Sequence, residues 1–115
     1  MPDNGTWHAA ASLGELSEGE PLGVEIAGRH VALYRIGSEF YATGNICTHA
    51  EALLSDGLLD GCEIECPLHM GRFDIRTGEA LTSPVEVEIP TYPVRVSGDE
   101  LQVCLPDQPA DATEQ

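Results

Sequence analysis

The sequence predicts an all-β fold, a small antiparallel sandwich or barrel with a metal-holding lobe inserted into it, and three observations lead there. Apolar residues alternate or cluster in segments of roughly five to eight residues, the length and period of strands. Twelve glycines and eight prolines in 115 residues punctuate those segments and leave little room for long helices. Two short boxes of cysteine and histidine interrupt the strand pattern near the middle of the chain, dividing it into a base (residues 6–44 and 85–105) and a lobe (residues 45–84).

Each element has its own signal. Gly23-Val24-Glu25-Ile26 and the run His30 to Ile36 flank Ala27-Gly28-Arg29, which predicts a hairpin. Glu39 to Thr43 follows a Gly37-Ser38 turn as the next strand. Inside the lobe, Ser55-Asp56-Gly57 and Arg76-Thr77-Gly78 are turn sequences. Tyr92 to Val96 and Glu100 to Leu105 alternate around Ser97-Gly98-Asp99 as a second hairpin. Residues 106–115 show no apolar periodicity and predict a flexible tail. No internal repeat or interdomain linker is evident, and a chain of this length has room for one domain.

The chemistry lies in the two boxes. Cys47-Thr48-His49 is followed, after sixteen intervening residues, by Cys66-Pro67-Leu68-His69. Together they offer two thiolates and two imidazoles, a four-ligand metal site made of Cys47, His49, Cys66 and His69. Structural zinc also takes Cys2His2 ligands, so a redox-silent zinc module for protein interaction is one alternative. Common zinc sites pair Cys with Cys and His with His, whereas here each box is mixed, with Cys first. That order suits a 2Fe-2S cluster with cysteine on one iron and histidine on the other.

The boxes and their flanks, Cys47-Thr48-His49 and Cys66 through Asp74, with Ser55-Asp56-Gly57, Arg76-Thr77-Gly78 and Thr91-Tyr92-Pro93-Val94, resemble the Rieske ferredoxins that serve bacterial aromatic-ring-hydroxylating dioxygenases. The resemblance covers nearly the whole chain. It implies a β-sheet base with a cluster-binding lobe, and one 2Fe-2S cluster held by Cys47 and Cys66 on an inner iron and by His49 and His69 on an outer one. It further implies an electron carrier, not an enzyme, taking single electrons from an NAD(P)H-dependent flavoprotein reductase to a terminal Rieske non-heme iron oxygenase. A small Rieske subunit of another redox enzyme, such as nitrite reductase, is the alternative within the same class.

High-potential respiratory relatives carry an extra Cys in each box, joined as a disulfide, and a Ser and a Tyr whose hydroxyls donate to the cluster; the matching positions here are Ala52, Leu68, Gly71 and Phe73. With neither disulfide nor hydroxyls, the expected potential lies near the lower end of the Rieske range, about −150 mV. Pro84 matches the position of a proline loop that covers the cluster in the family, and an ordinary turn explains it equally well. Gly71 is expected to allow close backbone approach beside the cluster.

Composition narrows the partners. Twenty acidic residues stand against five arginines, a formal net charge of −15. Such a chain repels phosphates, so nucleic acid is excluded as a partner, and the field suits transient docking on basic patches of redox partners. The start of the sequence lacks a basic region and an apolar region, and no apolar segment is long enough to span a bilayer; a cytoplasmic monomer is expected. Cys62 and Cys104 are then expected to be small buried or half-buried residues, with a disulfide between them as the minor reading. His8 and His30 fall outside the boxes and are expected to be structural or solvated. Trp7, Tyr34, Phe40 and Tyr41 are core or strand-face aromatics. The carboxylates are scattered without a nucleophile, acid-base pair or phosphate loop, so no catalytic residues are assigned.

Overall fold

Among the residues described by the computed structural model, 5–46, 52–67, 71–81 and 88–106, ten strands form three sheets, and every pairing is antiparallel. The first sheet is ordered β1 (Gly5–Ser12), β10 (Glu100–Pro106), β9 (Val94–Ser97). The second is ordered β2 (Leu22–Ile26), β3 (Arg29–Ile36), β4 (Glu39–Gly44), β8 (Thr91–Tyr92). The third, inside the lobe, is ordered β5 (Leu58–Asp60), β6 (Glu63–Glu65), β7 (Arg72–Asp74).

The second sheet is the middle layer. Side chains of a strand point alternately to its two faces, and in β3 both faces are covered. Val31 and Leu33 join Ala42 of β4 and Leu101, Val103 and Leu105 of β10 in one core. Ala32 and Tyr34 join Leu54, Ile64, Cys66, Phe73 and Ile75 of the lobe in another. All four β3 residues are fully buried, so the strand has the unbroken apolar run Val31-Ala32-Leu33-Tyr34, as expected for a strand covered on both sides. β10 covers only one face and alternates, with Leu101, Val103 and Leu105 buried between half-buried neighbours.

Four details depart from the sequence expectation. β1 has no strand signal, because Ala9-Ala10-Ala11 has no period-two pattern; its pairing with β10, through a bulge between Ala9 and Ala11, imposes the conformation. The first hairpin turn has two residues, Ala27 and Gly28, both at positive φ (52° and 81°), which leaves Arg29 inside β3. Pro93 divides the expected strand 92–96: Tyr92 pairs with Ala42, while Val94 pairs with Val103. Proline has no N–H to give to a ladder, and its carbonyl instead accepts from the Cys104 N–H, so the chain changes sheets at that point. Pro106, expected to begin the tail, ends β10 opposite Gly5, and residues 107–115 lie outside the described residues.

The three lobe strands are three residues each, too short for a legible alternation. Their single inward row, Leu59-Ile64-Phe73, faces the core, with Ile64 and Phe73 fully buried and Leu59 half-buried at its edge. Leu54, fully buried in the 3-10 turn Leu54–Asp56, locks that turn against the same core. The turn approaches β6 so closely that a Cβ on Gly57 would collide with the Glu65 carbonyl. Glycine is therefore a steric requirement at position 57.

Candidate metal centre

The first box leaves the end of β4. Ile46 forms an isolated antiparallel bridge with Leu53, so the segment between them is closed at its neck. Asn45, 3% exposed, ties the neck further. Its backbone N–H donates to the His30 carbonyl (3.0 Å), and its carbonyl accepts from the Leu54 N–H (2.8 Å). Its side-chain Oδ1 accepts from the Ser55 N–H (2.7 Å), while Nδ2 donates to Ser55 Oγ (3.0 Å).

The second box begins at Cys66, directly after β6. Glu65 opposite Arg72 is the last ladder pair, and beyond it the Cys66 N–H donates to the Gly71 carbonyl (2.7 Å). Cys66 is fully buried in the core shared with Leu54, Ile64 and Phe73, and Ala52, which follows the first box, packs against that same core. The residues bracketing the two boxes thus stand on one apolar floor. Of the four expected ligands, Cys66 is described; Cys47, His49 and His69 lie outside the described residues, as do Leu68 and Pro84. Among the described residues no further cluster of His, Cys, Asp or Glu side chains could hold a metal.

Charge gathers on the outer face of the lobe sheet. Arg72 bonds Asp60 (3.2 Å), Glu63 (3.1 Å) and Glu65 (3.0 Å). Its hydrogen bonds to Glu63 first, then to Asp60, hold its guanidinium in the charged form. Arg76 makes a forked contact with Asp74 (3.1 and 2.9 Å) and draws the Asp74 carboxyl below its ordinary value. Four carboxylates and two guanidinium groups therefore flank the strand leading out of the second box.

On the floor beneath, Tyr34 is fully buried and its hydroxyl lies 3.0 Å from Thr43 Oγ1. Thr43 Oγ1 donates its one proton to the Gly44 carbonyl (2.8 Å), so Tyr34 is the donor in the pair. Burial pushes the Tyr34 phenol well above its ordinary range. Phe73, with no hydroxyl, is fully buried in this core.

The other sequence candidates fall away from the site. Cys62 and Cys104 are free and half-buried. His30 is exposed on β3 and His8 half-buried on β1. Trp7 lies on the outer face of the first sheet with the Arg95 guanidinium 4.2 Å from its ring centre, a cation–π contact. Two further features of the site, Asn45 and the Arg72 network, carry little signal in the sequence. Asn45 had one signal, a polar residue directly before an apolar-Cys pair; the network becomes visible only once β5, β6 and β7 are in register.

A fully buried thiol on an apolar floor, on a hairpin closed behind it by a backbone hydrogen bond, suits an iron–sulfur cluster, whose thiolate iron is shielded from water; the Cys2His2 donor set in the sequence is of the matching kind. Comparisons with known proteins agree. The Rieske [2Fe-2S] domain family matches residues 6–93. The ferredoxin component of the naphthalene 1,2-dioxygenase system of Pseudomonas aeruginosa is 52% identical over 99 residues, 86% of this chain and 95% of that protein. The ferredoxin of carbazole 1,9a-dioxygenase from Nocardioides aromaticivorans IC177 superposes with a TM-score of 0.82 at 41% identity, covering 85% of this chain and 96% of that one. A chain from the complex of reduced oxygenase and oxidized ferredoxin in carbazole 1,9a-dioxygenase superposes with a TM-score of 0.80 at 39% identity, covering 84% of this chain and 91% of that one. With family, relatives and fold in agreement over most of its length, the chain belongs to the Rieske 2Fe-2S domain family, and its cofactor is a single cluster of that type.

Proposed function

We propose that this protein is the ferredoxin of an aromatic-ring-hydroxylating dioxygenase system, a monomeric cytoplasmic carrier of single electrons from an NAD(P)H-dependent flavin reductase to a terminal oxygenase. The observation that carries this reading most is the placement of Cys66: a fully buried thiol at the neck of the second box, on the same floor that Ala52 shares behind the first. Cys47, His49, Cys66 and His69 would hold the cluster, which supplies one-electron reduction and oxidation when bound. Residues 6–44 and 85–105 serve as the base and 45–84 as the cluster-binding lobe.

The chain's own residues do the rest. Leu54, Ile64 and Phe73 keep water from the Cys66 side of the site. Gly71 and Phe73 offer no side-chain hydroxyl, and the carboxylates of Asp60, Glu63, Glu65 and Asp74 outnumber Arg72 and Arg76. Both features disfavour added negative charge and keep the potential low. That poise suits an electron drawn from a nicotinamide through a flavin. Similarity to the carbazole dioxygenase ferredoxin, and to a chain from that system's oxygenase complex, supports an oxygenase as the acceptor.

The test is reconstitution. NADH, a flavoprotein ferredoxin reductase and an aromatic-ring oxygenase should form dihydroxylated product only when this protein is added. Reduction by the reductase with no transfer to any oxygenase would overturn the proposed acceptor.

A further inference from the structure

We infer that Asn45 is a positioning residue, a clasp that fixes the neck of the first box so that Cys47 and His49 reach the cluster in a single geometry. The inference rests on the ligand reading proposed above. Asn45 is nearly fully buried and uses both its backbone groups and both its side-chain polar atoms, on three different partners: His30 of β3, Leu54 and Ser55. Leu54 and Ser55 lie beyond the box, so two of the three partners join the outgoing chain to the incoming one. The Ile46–Leu53 bridge continues the same closure one residue further in.

A buried side-chain amide satisfied at both ends imposes one orientation, because any other leaves a donor or acceptor without a partner. Leu54 and Cys66 pack in one core, so the clasp also sets the first neck relative to the second. β2 closes the clasp from outside: a Cβ on Gly23 would lie 2.5 Å from Ser55 Oγ and 2.8 Å from Asn45 Nδ2. An alanine there cannot coexist with the pair in its present position, although it removes no hydrogen-bonding group.

The experiment compares wild-type holoprotein with Asn45→Ala, Gly23→Ala, Ser55→Ala and a control, Val103→Ala, which opens a cavity in the core on the far side of the central sheet. Three quantities are read: the electron paramagnetic resonance spectrum after reduction, the rate of cluster loss to an iron chelator, and the thermal midpoint. Asn45→Ala and Gly23→Ala should broaden the spectral anisotropy and accelerate cluster loss by about tenfold, equivalent to ~1.4 kcal/mol and to one or two net hydrogen bonds. Ser55→Ala, which removes only the Oγ contact, should give about threefold and serves if the stronger variants fail to accumulate. Val103→Ala should lower the midpoint while leaving the spectrum unchanged. A wild-type protein with no Rieske signal would overturn the ligand reading and the clasp together. A normal wild-type signal, with the Asn45, Ser55 and Gly23 variants losing cluster only in proportion to their midpoints as Val103→Ala does, would overturn the clasp alone.

Discussion

At the scale of single residues, the donor atoms set the potential and the buried hydroxyls set the floor. Replacing His69 with Cys exchanges a neutral donor for a thiolate. The variant, if it retains a cluster, should fall in potential by on the order of 100 mV or more, toward the all-cysteine ferredoxins near −400 mV; an unchanged potential in a protein-film titration would remove His69 from the ligand set. In the floor, the order of donation from Tyr34 to Thr43 to the Gly44 carbonyl predicts unequal effects. Tyr34→Phe removes one donor and should cost about 1 kcal/mol in chemical denaturation. Thr43→Val strands the buried Tyr34 hydroxyl and frees the Gly44 carbonyl, so it should cost about 2 kcal/mol or more. Equal losses would contradict the assigned direction of the chain of donors.

At the scale of elements, the lobe hairpin depends on one close approach. Gly57→Ala would drive a methyl into the Glu65 carbonyl, directly beside Cys66. We expect it to lower iron content and destabilise by about 2 kcal/mol, as overpacking against backbone does; normal iron loading with an unchanged denaturation midpoint would show that the turn moves freely. Element by element, the sequence was most legible where one strand faces one core, as in β10, and where an apolar run lies between two cores, as in β3. It was least legible where neighbours impose the conformation. β1 is drawn in by β10 despite three alanines, Pro93 moves a strand from one sheet to another, and the lobe strands are too short to alternate. The two boxes were plain in the sequence because ligand chemistry needs particular residue types at short spacing. The Asn45 clasp and the Arg72 network were not, since each joins residues that become neighbours only after folding.

At the scale of the whole molecule, a net charge of −15 sets how partners approach. Reduction by the reductase should slow steadily as ionic strength rises from about 0.01 to 0.5 M, over which the screening length falls from roughly 30 Å to a few ångströms. A rate independent of salt in stopped-flow mixing would remove charge steering from the account. The same charge leaves the fold dependent on apolar layers and a bound cofactor: two cores on either side of one sheet, with the second closed by the lobe that carries the boxes. Removing the metal should therefore loosen the lobe before the base. Hydrogen exchange on apoprotein should show lost protection in β6 and β7 while β3 and β10 stay protected, and uniform loss would contradict a base that is stable without the lobe.

The proposed ligand set of a Rieske cluster that carries electrons is Cys47, His49, Cys66 and His69. Its most direct test is the electron paramagnetic resonance spectrum of purified protein after dithionite reduction, taken with iron, sulfide and zinc analysis. A rhombic signal characteristic of a cluster with imidazole on one iron, with two irons and two sulfides per chain, is the predicted result. A silent sample holding one zinc per chain would contradict the account and leave a structural module without a redox role.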